Sequence, residues 1–585
     1  MSTIADMEFL EVGHLDQLRS KGFIVITGAD RPIAVFFHDG HVYAVDNRCP
    51  HLGFPLHQGS VKDGILTCHW HEARFDLCNG CTFDLFADDV PSYETHVRDG
   101  VVYVARTPRN PQDREYYTHR LQHGLRHSIS LIQGKAILGL RKTNTKWNDV
   151  LCEIAAYGAA NHDAWGEGMT ILAIVGRLAT YLTPETAFYT VLRAARQVAA
   201  DCSNAVPHRL LDALADGQHS REQLIRWMRS WVQGRHRDGA ERVLLTALSQ
   251  CGPSADFAEL VFTAASDRVY SQTGHVFDAA NKAFELLDTI GWEHASTVLP
   301  LILDRMTMAR GSEEDAHWHH PIEVIQPLRD AEARLPAHLK TGAGKTWNDN
   351  GLLLDVLLGD DPLAIIAALE GALLAGAPPL ELSKRVTYAA ALRLARFGKA
   401  NELADWFNPR HTFIFANAVH QALSRSAAPG VCRGIFHAAL SVYMDRFLNV
   451  PPARFPADAE LESLPAGGDE LCEQLLGALE RHANVEEAAK LVARYIRLGH
   501  PFTPLIDTLT LATVREDLDF HAIQVLEAGL QQYHEWEGQA QAEHVLIAVV
   551  RQLAAFCPTP RAGHQLATIA MRLERGETMY EDADV

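Results

Sequence analysis

No uninterrupted apolar run in this sequence is long enough to cross a bilayer, so no membrane span is expected. G-x-G-x-x-G, P-loop and doubly wound α/β patterns are all missing, which removes a nucleotide site from consideration. Cysteine is sparse. Ten occur in 585 residues, scattered singly apart from Cys78 and Cys81, which excludes a secreted disulfide framework. Met1 to Glu8 has neither a basic nor an apolar leader region, so the expected compartment is cytoplasmic. Basic residues are in deficit as well: 53 Lys+Arg against 73 Asp+Glu give a net charge of −20, which argues against a nucleic-acid partner. Through residue 107 the counts are 15 Asp+Glu and 8 Lys+Arg, an acidic excess of 15 − 8 = 7 suited to steering a basic partner face.

What is present begins with two short motifs. Cys49-Pro50-His51 is followed after sixteen residues by Cys68-His69-Trp70-His71, so two close Cys/His pairs lie on separate segments. Thiolate sulfur suits iron–sulfur clusters and imidazole suits iron or zinc, but zinc sites more commonly pair Cys with Cys and His with His. A Cys/His pair on each of two loops lets each loop give one sulfur to one iron and one nitrogen to the other. That is the arrangement of a [2Fe–2S] centre in which two His replace two Cys on one iron.

The surrounding residues extend the likeness. They run Asp46-Asn47-Arg48-Cys49-Pro50-His51-Leu52-Gly53, then Gly59 and Gly64, then His71-Glu72-Ala73-Arg74-Phe75-Asp76-Leu77. Over about residues 8–106 the chain resembles the Rieske ferredoxins. The resemblance implies one [2Fe–2S] cluster with Cys49 and Cys68 on the inner iron and His51 and His71 on the outer. Respiratory Rieske proteins carry two further cysteines that form a disulfide over the cluster; here those places hold Phe54 and Trp70. The likeness is therefore to the soluble ferredoxin and oxygenase branch, with a low reduction potential. Cys78-Asn79-Gly80-Cys81 departs from the family pattern and reads as two reduced thiols around a turn, with a redox pair or metal hook as the alternative.

The chain changes character at Thr107-Pro108-Arg109-Asn110-Pro111. Before it, short apolar runs flank Asp39-Gly40 and Asp99-Gly100, two hairpin signals that predict a small antiparallel β-domain. After it nearly everything follows a 3.6-residue period. Leu151–Tyr157, Thr170–Tyr181, Ala364–Leu374 and Ala540–Phe556 all read as helices. The expected fold is multidomain α+β: a Rieske domain over 1–107, a linker over 108–112 and an all-helical domain over 113–585. Irregular stretches at 311–350 and 449–469 are candidate divisions of the helical domain. Weak self-similarity, His275-Val276-Phe277-Asp278-Ala279-Ala280-Asn281 against His411-Thr412-Phe413-Ile414-Phe415-Ala416-Asn417, suggests stacked hairpins in a curved, solenoid-like array.

Thirty histidines are the second clue. His162, His275, His411 and His521 recur at intervals of 113, 136 and 110 residues and are read as opening helices. There the helix dipole disfavours the imidazolium and leaves the neutral form that a metal or an acid–base role requires. At least two of them are expected to line one cavity within electron-transfer reach of His51 and His71. They are the candidate catalytic residues, with a second metal or an organic cofactor or substrate among them. His119, His123 and His127 form a helix stripe, and Glu313 to His320 holds a third, loop-like cluster. The D/N-x2-H-x4-H iron motif of Rieske oxygenases is missing after residue 107, so an ordinary oxygenase subunit is excluded. Two readings remain. One is an oxidoreductase in which the N-terminal cluster feeds an oxygenase-like or other redox site in the helical domain. It would draw electrons from an NAD(P)H-dependent ferredoxin reductase on another chain and act on a small molecule. The other is an electron carrier or redox sensor fused to a helical docking scaffold without catalysis of its own.

Overall fold

The computed structural model describes residues 8–27, 31–110, 112–215, 217–349 and 351–580. Met1–Met7, most of the stretch read as lacking a leader, and Pro111 of the expected linker lie outside them. Two compact units divide the chain: Met1–Glu153 with Gln565–Val585, and Ile154–His564. The expected boundary at 108–112 marks where strands give way to helices, but packing divides the chain later and at a second place near its C-terminus. The stretches 311–350 and 449–469 do not divide the second unit.

In the first unit, β1 (Phe9–His14), β2 (Phe23–Ile26), β3 (Ile33–His38), β4 (His41–Asp46), β8 (Ser92–Arg98) and β9 (Val101–Pro108) form one antiparallel sheet in the order β1-β9-β8-β4-β3-β2. A smaller sheet holds β5 (Ser60–Lys62), β6 (Ile65–Thr67) and β7 (Arg74–Asp76). Asp39 (φ 47°) and Gly40 (φ 80°) turn β3 into β4 in the left-handed conformation that a two-residue hairpin requires. Alternate residues of the strands, among them Ala34, Phe36, Val45, Leu66 and Phe75, bury one face around Cys49 and Cys68. After α1 (Leu15–Lys21), α2 (Arg114–Arg126) and α3 (Ser130–Lys142) pack on each other in the same unit.

The second unit is helical. The helices Glu167–Leu178, His275–Ile290, Phe407–Arg425 and Phe520–Glu535 pack in a ring, each on the next and the last on the first. Outer helices back them: Pro184–Cys202 on the first, Ala255–Ala265 on the second, Pro379–Ala395 on the third and Ala540–Phe556 on the fourth. An open solenoid would join each repeat to its sequence neighbours alone; here Glu167–Leu178 meets Phe520–Glu535 and the array closes. The ring's interior is consistent with the closure. Lys282, Glu285, Glu527, Asn417, Gln531 and Gln532 are buried and hydrogen-bond from one ring helix to another. Buried away from water, these polar side chains take one another as partners across the ring in place of solvent. Among the described residues no helix is long and apolar enough to cross a membrane.

Candidate functional site

Cys49 and His51 lie on the loop between β4 and β5, and Cys68 and His71 on the loop between β6 and β7. The two loops are built alike. Cys49 N–H donates to Phe54 C=O at 2.8 Å and Cys49 C=O accepts from Gly53 N–H at 2.8 Å; Cys68 N–H donates to Ala73 C=O at 2.8 Å and its C=O accepts from Glu72 N–H at 3.0 Å. Each cysteine thus closes a tight turn, with Gly53 (φ 91°) and Glu72 (φ 60°) at equivalent left-handed positions. The turns bring four side chains together. The Cys49 and Cys68 sulfurs hydrogen-bond as free, buried thiols. The His51 and His71 rings stand edge to face, 4.9 Å apart.

The electrostatics suit a metal cluster. The thiol pair shares its proton unequally: Cys49 is pushed up by its bond to Cys68 and by burial, while Cys68 is pulled down by receiving that bond and by backbone N–H groups of Trp70 and His71. Burial, with His71 and Lys135 nearby, lowers His51 to about 4, so its ring is neutral at pH 7. His51 Nδ1 is buried without a hydrogen-bond partner. Two facing thiols and a neutral imidazole with an orphaned nitrogen match the needs of a two-thiolate, two-imidazole centre. Behind them Asp88 is clamped by Arg120 of α2 at 2.7 Å and by Lys135 of α3, and Lys135 Nζ also donates to Pro50 C=O at 2.7 Å.

Comparison with known proteins agrees with this geometry. Residues 8–94 match the family model of the Rieske [2Fe-2S] domain. The 3-phenylpropionate/cinnamic acid dioxygenase ferredoxin subunit of Photorhabdus laumondii is 36% identical over 74 residues, 12% of this chain and 70% of that one. The chain belongs to the Rieske [2Fe–2S] family. A human Rieske domain-containing protein is 33% identical over 73 residues, 12% of this chain and 46% of that protein, so the chain spans under half the length of this relative. The solved ferredoxin of carbazole 1,9a-dioxygenase from Nocardioides aromaticivorans IC177 is 25% identical, covering 17% of this chain and 98% of its own, with a TM-score of 0.16. No family model matches the helical remainder. The Rieske unit carries one [2Fe–2S] cluster for electron transfer. Cys78 and Cys81 beside it are exposed free thiols.

In the helical unit the structure brings together three of the four recurrent histidines. His411 Nε2 lies 3.0 Å from His521 Nε2, which lies 3.4 Å from His275 Nε2, and one ligating atom from each falls within 4.8 Å of the others. Two nitrogens bound at 2.0–2.1 Å on a tetrahedral ion stand about 3.3 Å apart, so these spacings fit a shared ion. Each histidine occupies the first turns of its ring helix, at the positive end of the dipole. Burial and the neighbouring rings lower His275 to about 2 and His411 to about 3, and burial lowers His521, so all three are neutral at pH 7. Asp519, paired to Arg410 at 2.7 Å, stands 3.6 Å from His521 Nδ1, on the opposite side of the ring from the Nε2 that faces the triad. Tyr270 (φ 43°), Gln272 (φ 47°) and Thr273 (φ 53°) form a strained left-handed run that delivers the chain to His275.

His162 does not join them. It follows the helix Trp147–Asn161 instead of opening one, and lines a separate cavity of about 450 Å³ with Glu167, Asp201 and Arg305. Glu167 opens the first ring helix, ten residues before Arg177, which pairs with Glu285, itself ten residues after His275. The place expected for a histidine is thus held by a glutamate, a residue type that the histidine recurrence does not mark. A cavity of about 740 Å³ reaches His411 and is lined by Tyr270, Trp318, Tyr443 and Asp445. Asp445 is buried, has one carboxylate oxygen without a partner and is held near 7 by desolvation. The two other histidine clusters form no triad: the His123 and His127 rings lie 4.6 Å apart, tilted by 50°, without His119. In the Glu313–His320 loop, Glu313, Glu314 and His319 are engaged in ion pairs, while His317 and His320 line the larger cavity.

Proposed function

We propose that the protein is an oxidoreductase that takes up single electrons at its Rieske unit and uses them at an oxygenase-like metal site in its helical unit. Cys49 and Cys68 hold the inner iron, and His51 and His71 the outer one. A bound [2Fe–2S] cluster supplies one-electron transfer. The chain's own residues prepare the site. Backbone N–H groups of Trp70 and His71 favour the Cys68 thiolate, and the Phe54 and Phe86 side chains pack at the site and exclude water. In the helical unit His275, His411 and His521 hold a divalent first-row metal, for which neutral imidazoles are suited. The cavity beside His411 has the size of a small-molecule site, and Asp445 is placed to take or give a proton there. Electrons come from an NAD(P)H-dependent ferredoxin reductase on another chain. The eight cysteines outside the cluster are free thiols and support a reducing, cytoplasmic setting.

The observation that carries this reading is the convergence of three neutral histidines at 3.0 and 3.4 Å. A docking scaffold has no need of it. Metal analysis of the purified chain tests the proposal: metal beyond the two irons of the cluster is expected. His275→Ala and His411→Ala should remove that excess and leave the cluster spectrum unchanged. Two irons per chain, identical in both variants, would exclude the helical metal and favour an electron carrier on a scaffold.

A further inference from the structure

The two cluster loops are also held from outside. At its C-terminus the chain returns to the Rieske unit and lays Gly576–Tyr580 across both of them. Arg48 donates to Gly576 C=O, Thr578 Oγ1 donates to Gly53 C=O at 3.1 Å, and Met579 N–H donates to Leu52 C=O at 3.1 Å. Gly53 (φ 91°) is needed for this approach, because a Cβ there would meet Thr578 Cα at 2.9 Å. Thr578 Oγ1 also accepts from Tyr580 N–H at 3.0 Å and sets the direction of the next side chain. The Tyr580 ring then stands edge-on to Phe54 of the first loop at 4.8 Å and to Trp70 of the second at 5.4 Å. Trp70 in turn packs on His71 at 4.3 Å.

Phe54 and Trp70 occupy the positions where respiratory Rieske proteins place their inter-loop disulfide. Here one ring from a segment more than five hundred residues away touches both. We infer that Gly576–Tyr580 is a noncovalent clasp that holds the two cluster loops together, with Tyr580 as its positioning residue. The inference rests on the assignment of Cys49, His51, Cys68 and His71 as ligands. Beneath the clasp the loops meet through the cluster ligands and the apolar core around Cys49 and Cys68, so what the clasp adds is closure over their outer side, and cluster retention and water access become the quantities it controls. With two thiolates and two neutral imidazoles the oxidised centre is neutral and the reduced one carries a negative charge. Water admitted by loss of the ring therefore stabilises the reduced form and raises the midpoint potential.

The test uses the full chain with its cluster, following the decay of visible absorbance in excess iron chelator and titrating the midpoint potential. Two edge-on ring contacts together are worth roughly a tenfold change. Tyr580→Ala should lose its cluster about tenfold faster than the wild type and show a higher midpoint. Tyr580→Phe, which keeps the ring, should stay within about twofold of the wild type. Thr578→Ala should fall between. Wild-type decay and potential in both Tyr580→Ala and Thr578→Ala/Tyr580→Ala overturn the clasp, as does equal loss in Tyr580→Phe and Tyr580→Ala. A wild-type protein with no cluster absorbance overturns the ligand assignment and the clasp together.

Discussion

Lys282 is the sharpest place to perturb the helical unit. Its ammonium lies 2.7 Å from Glu285 and 2.6 Å from Glu527, all three buried on the ring's inner side, with Arg177 at 3.6 and 3.2 Å as the second cation. Asp278 is held near 7 by burial, so at or below neutral pH the network approximates two cations against two anions. Lys282→Met keeps the stem's volume and leaves one anion in excess. The fold can keep that anion, at the roughly 3–5 kcal/mol of an uncompensated buried charge. It can also protonate one glutamate, at 1.36 kcal/mol for each pH unit above the ordinary value of 4.5. At pH 7 the second route costs about 1.36 × 2.5, or about 3 kcal/mol, and at pH 5 about 0.7 kcal/mol. The variant binds an extra proton only when folded, so its stability deficit grows as pH rises. Denaturant unfolding at pH 5 and pH 7 should show a loss below about 1 kcal/mol at the lower pH and about 3 kcal/mol at the higher. Lys282→Met/Glu527→Gln should recover most of it at pH 7. A Lys282→Met loss that is the same at both pH values, or under about 0.5 kcal/mol at pH 7, would refute the reasoning.

Replacing His51 or His71 by Ala should abolish the electron-spin-resonance spectrum of a His-ligated [2Fe–2S] centre, while Cys78→Ser and Cys81→Ser leave it intact; persistence in either histidine variant would refute the ligand set. The wild-type midpoint should lie below about 0 mV and fall further at alkaline pH, and a redox titration above about +100 mV would point to quinol chemistry instead. Asp519→Asn should weaken metal binding at the histidine triad about 10–100-fold by removing the charge beside His521 Nδ1, measured by competition with a chelator. Asp278 and Asp445 are both raised from 3.8 to about 7, so each holds a proton in the folded state that unfolding releases. Stability should therefore fall between about pH 4 and 7, by at most about 4 kcal/mol per group, and Asp278→Asn should flatten that slope in unfolding curves.

Much of the first unit was written locally. Asp39-Gly40 and Asp99-Gly100 specify hairpins because their backbone conformation is a property of those residues. The two Cys/His motifs could be recognised because each pair is served by one short loop, whose turn depends on residues four and five places on. Helical periodicity likewise located Ala540–Phe556 and its neighbours. What spacing along the chain could not convey was how the helices close. A 3.6-residue pattern records that a helix has one apolar face, and that holds in an open array and in a ring alike. Lys282, Glu285 and Glu527 carried no periodic signal of their own, yet their need for partners in a buried interior accompanies the closure. Only that closure decides that His275, His411 and His521 converge while His162, of the same recurrence, lies in another cavity. Tyr580 shows the same limit. It stands beside Phe54 and Trp70 because two distant stretches of chain pack together, and packing is decided by the folded whole.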